Sequence, residues 1–130
     1  MNIFMKCDFN YDNYGERELK SVGLVNDKGE TFYGESTGIY NSNIGNIVLS
    51  AGHVLGRYVF VRNELNSWLN KFDVTKIHFT YFSGQYRDYT NLFSPNSRFF
   101  FHANTIEDLK INTLDEAIKM KKEYEDEESI

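Results

Sequence analysis

Residues 2–36, NIFMKCDFNYDNYGERELKSVGLVNDKGETFYGES, read as three consecutive strands. NIFMKCDF (2–9) is apolar and aromatic until it delivers Asp8 at its end. ELKSVGLV (18–25) mixes apolar and small residues as a strand buried on both faces does. ETFYGES (30–36) follows the turn NDKG, where Gly29 can take the left-handed conformation that closes a hairpin. The link NYDNYG (10–15) is rich in turn formers, so Asn10 has turn chemistry as its ordinary role. Three strands joined this way form an antiparallel meander.

Between Thr37 and Gly56 the periodicity dissolves into Gly, Asn and Ser, which predicts a long loop with at most a short buried piece around NIVLSA. Loops of this length usually carry function or disorder. Val61, Leu65, Trp68, Leu69 and Phe72 then recur at helical spacing with polar residues between them, the pattern of an amphipathic helix lying on a sheet. KIHFTYF (76–82) reads as a central strand, QYRDYTNLF (85–93) as a short helix, RFFFHA (98–103) as a fifth strand and TIEDL (105–109) as a turn or a single helical coil. Thr113 followed by Glu116 has the form of a capping box, and Leu114, Ala117, Ile118, Lys121 and Tyr124 share a face of the helix it starts. The acidic tail after about residue 125 is expected to fray. The order β-β-β-α-β-α-β-α predicts an α/β domain with a mixed five-stranded sheet, antiparallel first and parallel later, and helices on its faces.

The 130 residues make one domain by length, long enough to bury its own core. Aromatic residues make up 16%, so Phe and Tyr must dominate both the core and any adhesive surface. A net charge of −5 argues against gripping nucleic acid through the overall field, since backbone binding needs clustered Lys and Arg. The single cysteine, Cys7, lies in a strand and reads as a buried, inert thiol. The N-terminus lacks the apolar run of a signal peptide and no stretch is long enough to span a bilayer, which predicts a cytoplasmic protein with no membrane contact.

The element order is that of the ribonuclease H-like fold, and DFNYDNYGERELKSVGLVNDKGETFYGEST resembles the opening of the DEDD-type 3'-5' exonucleases, in particular the small bacterial and phage exoribonuclease-like group. The resemblance resumes at RNELNSWLNKF, at KIHFTYFSGQYRDYTNLF and at INTLDEAIKMKKEY, and leaves out the 37–56 loop. It implies a site in which carboxylates hold two divalent cations, Mg²⁺ or Mn²⁺, to activate water and stabilise the leaving oxygen. Carried over residue by residue, Asp8 matches the first acid, but Asn10 stands where the family has Glu. Arg87 falls at the middle acid with Asp88 one position late. In the final His-x-Ala-x-x-Asp motif Ile111 replaces the His, Thr113 the Ala and Glu116 the Asp.

Only Asp8 is unchanged. An amide for a carboxylate removes needed charge, and a guanidinium at a ligand position puts a cation where two cations must sit. The resemblance therefore implies a degenerate exonuclease-like protein that acts by binding and needs no cofactor. An active enzyme would use Asp8, Asp88 and Glu116, with Asp8 as the metal-ligand candidate and Mg or Mn as its cofactor. Each has a structural role open to it as well: Asp8 as a strand-end cap, Glu116 in the capping box, Arg87 and Asp88 as solvated neighbours. His53, His78 and His102 are scattered and read as satisfied partners rather than a metal site. FTYFSGQYRDY (79–89) holds more rings than a short strand and helix can bury, so Tyr81, Phe82, Tyr86 and Tyr89 are expected to include exposed members. With Arg87 and Asn10 they form a candidate binding surface, since Tyr and Arg anchor interfaces. The expected partner is a protein, such as a host nuclease or immune complex blocked by a phage or mobile-element product, a setting suggested by size alone. A module that binds nucleic acid without cleaving it, through aromatic stacking, is the further alternative.

Overall fold

The structure, a computed structural model, describes residues 1–11, 17–37, 45–82, 84–95, 97–105 and 112–128. Most of the NYDNYG turn, loop residues 38–44, most of TIEDL, and Ile111 lie outside these residues. Among the described residues the chain runs β1 (Asn2–Tyr11), β2 (Arg17–Asn26), β3 (Thr31–Ser36), β4 (Ile47–Ser50), β5 (His53–Gly56), α1 (Tyr58–Leu69), β6 (Lys76–Tyr81), α2 (Tyr86–Thr90), β7 (Phe100–Thr105) and α3 (Thr113–Glu128).

The class is α/β, with a mixed sheet of seven strands rather than five, ordered β4-β5-β3-β2-β1-β6-β7. The meander forms as expected: β1 pairs antiparallel with β2 and β2 with β3, and Gly29 closes the second turn at φ 82°. β1 then pairs in parallel with β6, and β6 with β7. The two additional strands come from the stretch expected to be a loop. β5 adds in parallel to β3, and β4 folds back antiparallel on β5 as the outermost strand. NIVLSA is not a buried piece: all four residues of β4 are exposed, because α1 packs over β3 and β5 and stops short of β4.

Strand alternation divides the core between the two faces of the sheet. Ile3, Met5, Cys7 and Phe9 of β1 join Val22, Leu24, Phe32, Val54, Ile77 and Phe79 beneath α1, which contributes Val61, Leu65, Trp68 and Leu69. Burying each such side chain contributes about 1.5 to 3 kcal/mol, which makes this layer the main source of stability. Phe72, expected within that helix, lies past its end and packs there half-buried. Phe4 and Val25 point to the other face, where Ala117 of α3 meets them and Met120 and Tyr124 pack alongside.

α3 differs from its sequence reading in three respects. Asn112 caps it, its Oδ1 accepting the Asp115 amide at 3.1 Å, so the cap lies one residue before the expected Thr113. Thr113 is instead buried, its hydroxyl 3.3 Å from that of Ser21. The buried stripe accordingly runs through Thr113 and Ala117 while Ile118 is exposed, and the helix continues to Glu128.

Candidate functional site

β1 keeps its parallel partner only from Asn2 to Met5; beyond that it runs on beside β2 alone. Its C-terminal half and the end of β6 therefore part where the sheet changes from antiparallel to parallel, the kind of switch point that opens a ligand crevice in α/β sheets. Tyr89 of α2 fills the gap on the α1 side. Its hydroxyl oxygen accepts the Cys7 amide at 2.9 Å, and the hydroxyl donates to the Cys7 carbonyl at 3.3 Å. The Tyr89 ring stacks on Phe79 at 4.6 Å and 8°. Tyr89 is fully buried and serves the core, which removes it from the expected binding surface. Burial also pushes the Cys7 thiol well above its usual range, so it is the inert thiol expected.

Asp8 follows Cys7 and so faces the α3 side, with Phe4 and Lys6. It pairs across to Ser21, and Ser21 pairs onward to Glu35 of β3, which sets Asp8, Ser21 and Glu35 in one cross-strand row. A bulge between Asp8 and Phe9 adds Lys20 as an extra residue of β2, and its ammonium lies 3.9 Å from Asp8 Oδ2. Lys6, 3% exposed on the same strand face, places its amine 3.5 Å from the carbonyl and hydroxyl of Thr80. Tyr33 donates to Glu35 Oε1 at 2.7 Å and packs edge-on against His53 at 5.2 Å. Partial burial and the Glu35 carboxylate push its hydroxyl up to about 12, so it stays protonated and acts as a donor, not a base. An open cleft of about 430 Å³ adjoins, lined by Tyr33, Asn112, Thr113, Leu114 and Asp115.

The sequence-derived acids are distributed differently. Asp88 of α2 is half-buried on the α1 side, where burial raises the Cys7 thiol and the Tyr58 hydroxyl and the Asp88 charge adds a smaller push in the same direction. Glu116 is half-buried in the first turn of α3. No three His, Cys, Asp or Glu side chains among the described residues converge to hold a metal ion, so Asp8, Asp88 and Glu116 do not form such a group there. The set around Asp8, a serine, a tyrosine, the Glu35 carboxylate engaged by that tyrosine and two lysines, does not fit a pair of divalent cations, which need several carboxylates and no competing ammonium groups.

Of the expected binding surface, Tyr86 is 45% exposed while its ring leans on Tyr81 at 5.5 Å and Phe79 at 5.8 Å. Arg87 and Asn10 are exposed, and Tyr81 and Phe82 half-buried. The buried Gln85 holds this turn: its Oε1 accepts the Phe82 amide at 3.0 Å. Lys6, Lys20, Ser21, Tyr33 and Glu35 escaped the sequence reading. The alternation of TFYGES carries a signal for two of them, since Tyr33 and Glu35 take the face opposite the buried Phe32. Lys20 joins Asp8 through a bulge that no local pattern announces. His78 and His102, read as scattered, are hydrogen-bonded neighbours on β6 and β7. No helix among the described residues is long and apolar enough to cross a membrane. No protein-family model and no curated protein matches the chain.

Proposed function

We propose that the protein is a catalytically degenerate, exonuclease-like protein of ribonuclease H-like fold that acts in the cytoplasm by binding another protein. The order β3-β2-β1-β6-β7, antiparallel as far as β1 and parallel beyond it, supports the ribonuclease H-like reading, with β5 and β4 added at the β3 edge. One observation carries the loss of catalysis: the acids of this row, Asp8 and Glu35, are accompanied by ammonium groups, Lys20 at 3.9 Å from Asp8 and the buried Lys6 on the same strand face. Two-metal hydrolysis requires the reverse, acids that offset incoming cations. Binding falls to Tyr86 and Arg87, with Tyr81 and Phe82 beside them and Asn10 on β1, a group rich in interface-forming residue types. A host nuclease or immune complex, blocked by a phage or mobile-element protein, is the partner class we propose.

Calorimetric titration with Mn²⁺ and Mg²⁺ tests the loss of catalysis and is expected to show no saturable uptake; two ions bound per chain would overturn it. Incubating labelled single-stranded RNA or DNA with Mn²⁺ is expected to leave the strand intact with both the native protein and Asp8→Ala. Cleavage that disappears in Asp8→Ala would establish an enzyme instead.

A further inference from the structure

β4 ends the sheet on the β3 side, and among the described residues it pairs only with β5. Three of its four exposed residues are large and apolar: Ile47 at 42%, Val48 at 59% and Leu49 at 55% exposure. Asn46, just before the strand, accepts the Arg57 amide at 3.0 Å through Oδ1 and lies against Gly56, fastening the start of β4 to the start of α1. Val59, in the first turn of α1, is 63% exposed. β4 alone thus holds three of the five strongly exposed aliphatic side chains among the described residues.

The hairpin of β4 and β5 is itself without charge, the exposed Arg57 standing just beyond its end. From Gly45 to Gly56, GNIVLSAGHVLG contains no Asp, Glu, Lys or Arg, in a chain of which 25% is charged. Open edge strands are ordinarily guarded by a lysine, an inward charge or a proline. β4 has no charge and no proline, and is guarded only by its four-residue length and the irregularity between Val48 and Ser50 in its ladder with β5.

We infer that β4 is a self-association edge: two copies of the chain pair β4 antiparallel to β4 across a two-fold axis, so that one sheet runs through both. An unpaired edge offers alternating backbone donors and acceptors, which only an extended strand satisfies. In an isologous antiparallel pairing the segment meets itself, and no residue of IVLS faces a like charge. Each copy carries a net charge of −5, so copies repel over most of their surfaces and approach at least cost through this neutral strand. Four residues of edge bury well under the ~800 Å² per partner of a standard interface, so the association is weak and depends on concentration.

Sedimentation equilibrium on the full chain, from about 10 µM to about 1 mM, spans the range in which weak interfaces assemble. The weight-average mass is expected to climb from 15.2 kDa toward twice that value, more readily at high salt, which screens the repulsion between copies. Val48→Lys and Leu49→Lys, each placing a charge on an exposed side chain, are expected to stay monomeric while keeping the native circular dichroism and thermal midpoint. Amide exchange within β4 is expected to slow as the native protein is concentrated. A constant monomer mass across the range overturns the inference, as does association of both lysine variants at the native strength. So does equal protection of the β4 amides at both ends of the range, the result expected if the chain covers its own edge.

Discussion

Both ring nitrogens of His78 are committed within the fold. Nε2 lies 3.0 Å from the side-chain oxygen of Asn2, which only accepts, so Nε2 carries the proton. Nδ1 must then accept from His102 Nδ1, 3.0 Å away on the neighbouring strand. Phe4 stacks on the ring and Tyr124 of α3 packs against it. A second proton has no place, and burial, followed by the charges of His102 and Lys76, lowers the pKa from 6.5 to about 4, with Asp27 acting weakly in the other direction. Between these values the unfolded chain binds a proton that the folded chain refuses. The stability from His78 is therefore full above pH 6.5 and is lost as the pH falls toward 4, a loss of roughly 2 to 3 kcal/mol. Urea unfolding at pH 7 and pH 4.5 is expected to show the difference in the native protein and a smaller one in His78→Gln; equal differences would refute it. The sequence did mark His78 as a satisfied partner in a strand. Its bond to His102 was not legible, because residues 24 apart meet only once β6 and β7 are known to be neighbours.

The seating of α3 on the sheet turns on Gly23 of β2. A Cβ there would stand 2.6 Å from both Cα and N of Leu114 and 2.7 Å from C of Thr113, all backbone atoms that cannot swing aside. Gly23→Ala must push the first turn of α3 outward, loosening the Ser21–Thr113 contact and the packing of Ala117 on Phe4 and Val25. Overpacking of this kind costs about 1 to 3 kcal/mol. A fall in the urea midpoint is expected, with amide shift changes concentrated in 112–117; an unchanged midpoint would show that the contact is not limiting. The elements whose periodicity is local and strong, the meander and α1, were readable from the chain. β4 and β5 were not, because Gly, Asn and Ser break the alternation and the apolar residues of β4 are exposed, the reverse of what an apolar run suggests. The α3 cap was misplaced for a related reason: Asn112 and Thr113 are both capable caps, and burial of Thr113 against Ser21 decides between them.

The two faces of the sheet are unequal. The α1 face holds most of the buried apolar side chains, whereas α3 is held by Phe4, Val25 and Ala117, with Met120 and Tyr124 half-buried beside them. The rest of the α3 face is the polar ground of the candidate site, Lys6, Asp8, Ser21, Tyr33 and Glu35, which contributes little apolar burial. Local pattern was enough to establish the α/β class, but not this imbalance, since the strong helical signal of both helices says nothing of what each one covers. The C-terminal end of α3 weakens it further: Glu125, Asp126, Glu127 and Glu128 crowd the negative end of the helix dipole with no basic residue in the last turn. α3 sits close on β2 at Gly23, but elements that bury few apolar side chains open as separate units below the global unfolding energy. Native-state hydrogen exchange in low urea is therefore expected to place the best-protected amides of α3 at least ~2 kcal/mol below those of β1 and α1. Glu128→Lys, which reverses a charge at the dipole end, is expected to raise the opening energy of the last turn by about 0.3 to 1 kcal/mol and to leave β1 unchanged. Exchange of α3 at the same free energy as β1 would show that the thin layer is as firmly held as the thick one, and that the candidate site lies on the rigid body of the protein, not beneath an element free to lift.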